Sequence, residues 1–237
     1  PGGVAYGSDA FGGVIDARTR GAVPGSGWGG RFVGALGAGV PEQRASLELT
    51  RGHADGGVLV QGHWREFDDY ESPAGEVGNS GASDYGLRAR VDQRVGAGDL
   101  RLGWQGDRGR DVGRPRSNSS TVRFYYPSED SQRLTASWEA VGLGSWGRVG
   151  ASAFLGTYAV VTDQDRYATE TRPRSIERAD VSSRDFHVRV FGQRSWGGAQ
   201  LEGGLDVNGR FGLEALEERV AYDAAGAVAS TETIVSV

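Results

Sequence analysis

From Tyr85 to Val95 the side chains change character at every step. Tyr85, Leu87, Ala89, Val91, Gln93 and Val95 occupy one parity, and Gly86, Arg88, Arg90, Asp92 and Arg94 the other. A period of two puts these sets on opposite faces of an extended strand, and a helix would mix them. The rhythm returns at Leu100–Gln105, Leu134–Glu139, Arg148–Leu155, Phe186–Val190 and Leu201–Asn208, and upstream at Ala45–Thr50 and Val58–Arg65. With a less regular run at Arg31–Gly39, this predicts nine strands, each of about ten residues. No segment carries a helical stripe. The 40 glycines among 237 residues also argue against helices, since each Gly in a helix interior costs about 1 kcal/mol relative to Ala. The predicted class is all-β.

The connections sharpen this. Tight joints fall at Ala54–Gly57, Val95–Gly98, Gly142–Gly147 and Ser195–Gly198. Long polar stretches lie between them, at Asp68–Ala82, Asp107–Asp130, Thr162–Ser182 and from Gly209 onward. Short and long connections alternate as in an antiparallel meander with turns at one end and loops at the other. Transmembrane β-barrels have that asymmetry, and strands of about 9–11 residues suffice to cross a bilayer at a tilt. In a soluble sandwich the apolar face would meet a second sheet instead. Two features favour lipid. The polar parity is charged at mid-strand, as at Arg88, Arg90 and Asp92. Aromatics gather at strand ends: Trp146 and Trp196 at tight turns, and Phe67, Tyr70, Tyr85 and Tyr158 near long connections, where interfacial girdles belong. The expected sheet is a curved meander. Its concave face should carry Arg88, Arg90, Asp92, Arg101, Gln105, Glu139, Arg189, Glu202 and Asp206. Its convex face should carry Leu87, Val91, Leu102, Trp104, Leu134, Trp138, Val188, Val190 and Leu205.

Composition excludes several classes. With no Cys there is no disulfide framework and no thiolate metal site. A net charge of −5 argues against a general nucleic-acid binder, whose footprint is strongly basic. No apolar run approaches the roughly 20 residues of a transmembrane helix. His53, His63 and His187 show no metal-ligand spacing, and no Gly-x-Ser-x-Gly elbow surrounds Ser8. Asp163, Asp165 and Glu170 lack the central Gly of a calcium loop and read as a solvated loop. No catalytic residues, metal or cofactor are expected. With no Met anywhere, the chain is expected to be a piece of a longer protein, beginning inside it at Pro1.

The first twenty residues read differently. Tyr6, Gly7, Ser8, Asp9, Ala10, Gly12, Gly13, Val14 and Ile15 match, in order and spacing, the stretch that closes the plug domain of TonB-dependent outer-membrane receptors. The chain departs from that pattern at Asp16-Ala17-Arg18, where the family usually has Asn and two Ile, and rejoins it at Thr19-Arg20. The chain therefore resembles the end of a plug followed by the N-terminal part of a large transmembrane barrel. That implies a plug end at 1–20, a linker at 21–30 and an incomplete barrel of about nine strands at 31–237. It also implies that the second, fourth, sixth and eighth strands end at the tight turns.

By resemblance, the intact protein would sit in the outer membrane of a Gram-negative bacterium, in contact with its lipid. It would bind an iron–siderophore complex or a similar scarce nutrient outside and import it, energised by the TonB coupling protein through a segment absent here. A passive porin-like or adhesin-like barrel and a secreted carbohydrate-binding β-protein stand as alternatives. For the ligand, the stretch Asp107–Asp130 offers Arg108, Arg110, Arg114, Arg116 and Arg123 beside Tyr125 and Tyr126. Arg and Tyr together suit an anionic aromatic chelate. Asp107, Asp111, Glu129 and Asp130 cancel most of that charge, so an ordinary surface loop fits equally.

Overall fold

A computed structural model of the chain describes residues 20–37, 41–115, 121–169 and 172–236. Among them there is no helix. Twelve strands form, in chain order: β1 (Gly27–Gly37), β2 (Glu42–His53), β3 (Gly56–Phe67), β4 (Tyr70–Ser72), β5 (Gly75–Val77), β6 (Ala82–Val95), β7 (Gly98–Gly113), β8 (Val122–Leu143), β9 (Trp146–Tyr167), β10 (Pro173–Trp196), β11 (Ala199–Tyr222) and β12 (Val228–Ser236). Strands β4 and β5 pair as a small separate hairpin. The other ten make one antiparallel sheet in the order β1-β2-β3-β6-β7-β8-β9-β10-β11-β12, which keeps their order along the chain, with β3 bonded to β6 across the hairpin.

The tight turns fall where sequence put them. Each joins its strands through two residues: Ala54–Asp55, Gly96–Ala97, Gly144–Ser145 and Gly197–Gly198. At the last, both residues have positive φ, 55° and 83°, the backbone of a type I′ hairpin and a conformation that only Gly adopts freely. These turns close β2, β6, β8 and β10, the second, fourth, sixth and eighth strands of the sheet. One end of the sheet is therefore the turn end, and the other carries the longer connections.

Three expectations need correction. The linker expected at 21–30 ends early, because β1 begins at Gly27 and pairs with β2 along its whole length. Its alternation reads poorly because Val33 and Ala35 stand opposite Ser46 and Arg44, on the polar side of an edge strand. There are ten strands in the sheet, since Val228–Ser236 pairs with β11. The polar stretches are also mostly strand: β8 to β11 run for 22, 22, 24 and 24 residues, leaving only 114–121, 168–172 and 223–227 as connections there.

Register fixes the two faces, because directly paired residues point the same way. One row reads Leu49–Val60–Ala89–Trp104–Leu134–Leu155–Phe186 across seven strands. On the opposite face a row reads Glu48–Gln61–Arg88–Gln105–Arg133–Gly156–Asp185–Arg210. The eighteen residues assigned to faces from sequence separate into the two expected sets, one on each face.

Almost nothing is buried. Among the described residues only Ala22, Leu59 and Ala140 are buried hydrophobics, whereas Leu134 is 57% exposed and Leu205 62%. No second described sheet packs against Leu102, Trp104 and Val190. A soluble domain of this length would hide such residues. The edges of β1 and β12 are the other unfinished feature, each presenting a row of backbone groups without a ladder partner among the described residues.

Candidate functional site

The polar face is laced with ion pairs. On β6, Arg90 donates Nε and Nη2 to the two carboxylate oxygens of Asp92 at 2.8 and 2.7 Å. Arg148 on β9 makes the same two-pronged contact with Glu139 on β8, at 2.8 and 2.9 Å. Further along lie His187–Asp206 at 2.8 Å and Arg210–Asp185 at 2.7 Å. Toward the loop end, Asp84 accepts from Arg65 and lies 3.3 Å from His63 Nε2. Arginine planes also cover aromatic rings here, Arg133 over Phe154 at 4.8 Å and Arg148 over Phe191 at 5.2 Å.

The chain reaches β1 across this same face. The Arg20 carbonyl accepts from Arg88 Nη2 at 2.8 Å and Arg90 Nη1 at 3.4 Å. Ala22 is buried against Gly57, where an added Cβ would stand 2.6 Å from that of Ala22. The Gly25 amide then donates to the His53 carbonyl at 2.9 Å. Glu48, 6% exposed, lies 4.0 Å from Arg20 and 3.9 Å from Arg31. The last residues before β1 thus cross the polar face near the turn end. The motif residues Tyr6, Gly7, Ser8, Asp9, Ala10, Gly12, Gly13 and Val14 lie outside the described residues.

The apolar face has aromatic borders. Toward the loop end, Trp64, Tyr85 and Arg108 stand in one row, opposite Asp130. Toward the turn end, Trp138 donates its indole N–H to the Val95 carbonyl at 3.3 Å, and the Trp146 ring closes over Gly192. Trp28 and Trp196 stand out there, 74% and 81% exposed. From Trp138 to Asp130 the strand rises about 26 Å at about 3.3 Å per residue, a span of the order of a bilayer's hydrocarbon core.

Beyond that upper border the strands continue, and the ligand candidates divide. Arg108 and Arg110 lie on β7, on the apolar parity. Arg108 rims a shallow apolar depression of 670 Å³ beside Trp64, Tyr85 and Trp104. Arg110 is held by Asp130 at 2.6 and 3.3 Å. Tyr125 pairs with Asp163 on the same side, donates its hydroxyl to it at 3.2 Å, and lies under Arg123. Arg114 and Tyr126 meet elsewhere. Arg114 donates to the Tyr126 hydroxyl at 2.6 Å and stacks over Phe124 and Tyr126 at 5.2 and 5.4 Å, the two rings edge to face. Arg116 lies outside the described residues. The single Arg/Tyr loop expected from sequence is thus two clusters on a β-hairpin, separated by a bulge between Tyr125 and Ser128.

Asp163 and Asp165, expected in a solvated loop, are on β9. Burial pushes the Asp165 carboxyl up, and the hydrogen bond from Tyr167 only partly offsets it. Burial, reinforced by the Asp163 carboxylate, also pushes the Tyr125 hydroxyl up.

Sequence reasoning missed the anchor of the β3–β6 connection. Asp69 Oδ1 accepts from the Ser80 and Gly81 amides at 2.6 and 2.7 Å, and Oδ2 from Asn79 at 2.8 Å. Burial alone would raise its pKa, but these amides outweigh burial and hold it below the usual carboxylate value. Asn79, in the left-handed region at φ 61°, donates Nδ2 to the carbonyls of Phe124 and Arg114 at 2.6 and 3.3 Å. This straps the connection onto the β7–β8 hairpin beside the Arg114–Tyr126 cluster. The available signal was Asp-Asp-Tyr followed by Gly-Asn-Ser-Gly, an Asx-type anchor without a periodic pattern.

Comparison of the chain with protein-family models, curated proteins and solved structures found no match.

Proposed function

We propose that this chain is part of a TonB-dependent outer-membrane transporter: the end of the plug and the first ten strands of its barrel. The observation that carries the reading is the uncovered apolar face. A sheet with no second layer, an aromatic-bordered apolar band and an ion-paired opposite face suits lipid on one side and an aqueous lumen on the other. Arg20–Val23 crossing the polar face supports it further, since a plug would leave the lumen by such a path. The two free edges then belong to a ring that more strands must close. In this reading the loop-end clusters meet an anionic chelate such as an iron–siderophore complex, and import draws on the TonB protein. The site of action is the Gram-negative outer membrane.

The test uses the full-length protein in outer membranes. An assembled barrel migrates differently in electrophoresis before and after boiling, and uptake of radiolabelled ferric siderophore should stop when TonB is deleted. A barrel that conducts small solutes equally with and without TonB would replace this reading with a passive porin. A protein released into the medium as a soluble, cooperatively folded species would overturn the membrane assignment altogether.

A further inference from the structure

The chain is acidic overall, with a net charge of −5, yet the middle of its polar face gathers arginines. Register places Gly103 of β7 opposite Arg90 of β6 and Thr135 of β8. In the next row toward the loop end, Arg88, Gln105 and Arg133 stand side by side. In the next row toward the turn end, Arg101 faces Asp92. Gly103, without a side chain, therefore leaves a notch ringed by Arg88, Arg90, Arg101 and Arg133. The resulting recess has a volume of 430 Å³, with Thr135, Phe154 and His187 also in its lining.

Among the described residues the charges in this ring do not balance. Asp92 is the one described carboxylate in it, and both its oxygens already accept from Arg90; Arg101 Nε stands 3.7 Å from it. The acid nearest His187, Asp206, is bound to that imidazole at 2.8 Å. Arg88 spends Nη2 on the Arg20 carbonyl, and its Nε is buried with no hydrogen-bond partner. Arg133 lies over the Phe154 ring and has no acidic partner among the described residues. Like charges one or two pleats apart repel, and their repulsion grows where water is partly excluded. Guanidinium groups converging on a recess relieve it most effectively by sharing an oxyanion through paired N–H···O bonds.

We propose that the notch above Gly103 is a binding site for an oxyanion carrying at least two charges, a phosphate or a polycarboxylate. Arg101 and Arg133 grip it from opposite sides, Arg88 adds its positive charge beside them, and the Thr135 hydroxyl, which donates to the Gly103 carbonyl at 3.3 Å, closes the floor. The proposal rests on the barrel reading for its access, because the polar face must line a water-filled lumen for a solute to arrive. It deepens that reading by adding an anion-selective station between the loop end and the turn end.

The experiment measures binding of inorganic phosphate and of citrate to the full-length protein in detergent micelles by calorimetry, at low and high ionic strength. One saturable site weakened by salt is expected. Arg133→Gln and Arg101→Gln should each weaken it about tenfold to hundredfold, as loss of charge-assisted hydrogen bonds implies. Arg189→Gln, in the row of Arg101 but three strands away on β10, should leave it unchanged. Preference for phosphate over citrate, or the reverse, identifies the class of anion. No saturable binding, or equal weakening by all three substitutions, overturns the proposal. Should a variant fail to fold, phenylglyoxal labelling of the unsubstituted protein reads the same contacts. Protection of Arg101 and Arg133 by the anion supports the site, and unprotected labelling overturns it. Heat-modifiable migration, recorded separately, reports the barrel; its failure would sink the transporter reading while the binding data still judge the notch.

Discussion

Below the row of Trp64, Tyr85 and Arg108 the sheet has two unlike faces; above it, two similar ones. In the lower part the rows through Leu134 and Arg133 are uniformly apolar and predominantly polar. Higher up, Arg178 faces Asp163 and Glu218 on the continuation of the apolar side, while Glu177 and Arg219 meet at 3.3 Å on the other. The four strands β8 to β11 run through both regions. What differs is the surroundings each face answers to. On the proposed reading, the lower region sorts its side chains between an apolar and an aqueous medium, and the upper one meets water on both sides. The backbone ladder is indifferent to this, so the strands run through the boundary without a break.

The largest predicted effect tests that boundary directly. Leu134→Arg, in the middle of the apolar band, should cost about 2–4 kcal/mol in the full-length protein reconstituted in lipid vesicles. Leu216→Arg sits on the same side of the sheet above the border, opposite Asp180, and should change stability by no more than about 0.5 kcal/mol. Urea unfolding followed by Trp fluorescence measures both. Equal losses at the two positions would abolish the distinction between the regions and, with it, the proposal that the apolar band faces lipid.

Asp69 probes what holds the upper region in place of an apolar face. Replacing it with Ala leaves three amides without their charged acceptor, a loss of about 2 kcal/mol in local opening free energy. The pH dependence has a definite sign. Asp69's carboxyl titrates below its ordinary value of 3.8, so its contribution is complete above that value and fades as pH falls through the lower, folded one. Protection against hydrogen exchange at Asn79, Ser80 and Gly81, taken relative to the intrinsic rate at each pH, should therefore fall in acid in the parent and be low at all pH values in the variant. Exchange in the strands around Leu134 should not follow. If it does, the connection and the banded sheet are one cooperative unit.

The difference between the regions also decides what could be read in advance. The lower region was legible: Leu87 and Arg88, or Trp104 and Gln105, announce their faces by parity alone, and Gly197-Gly198 marks its turn. Above the border that signal vanishes, and Thr162–Ser182 looked like a loop because Asp163, Arg178 and Asp180 carry charge on the side where apolar residues were expected. Strand β12 was hidden for the same reason. The arginine notch was half visible. Arg88, Arg90 and Arg101 had the right parity, but only the register across the Gly96–Ala97 and 114–121 connections brings Arg133 beside them.

At the turn end the prediction concerns backbone. Gly197 and Gly198 both hold positive φ, a conformation that costs an L-residue about 1–2 kcal/mol. Gly197→Val should lower stability by about that amount and slow assembly of the β10–β11 hairpin, measured as the rate at which the heat-modifiable form appears. Shortening 223–227 at the loop end, where β12 is only nine residues long, should affect that rate far less. The reverse ranking would mean that assembly is directed from the loop end.

The smallest expected change is the most discriminating for recognition. Tyr126→Phe removes the hydroxyl that accepts from Arg114 at 2.6 Å while keeping both rings and the stacked guanidinium. Loss of one such bond is worth about 0.5–1.5 kcal/mol, and because the partner stays half solvated the effect on unfolding should lie at the low end. If this cluster meets the ligand, affinity for the ferric siderophore in whole cells should still fall several-fold, because the freed guanidinium loses its fixed direction. Removing the Arg110–Asp130 pair by Asp130→Asn, on the other side of the same hairpin, should leave affinity unchanged. A fall in affinity for Asp130→Asn with none for Tyr126→Phe would move recognition to the opposite face of the β7–β8 hairpin. Unchanged affinity in both would remove that hairpin from recognition.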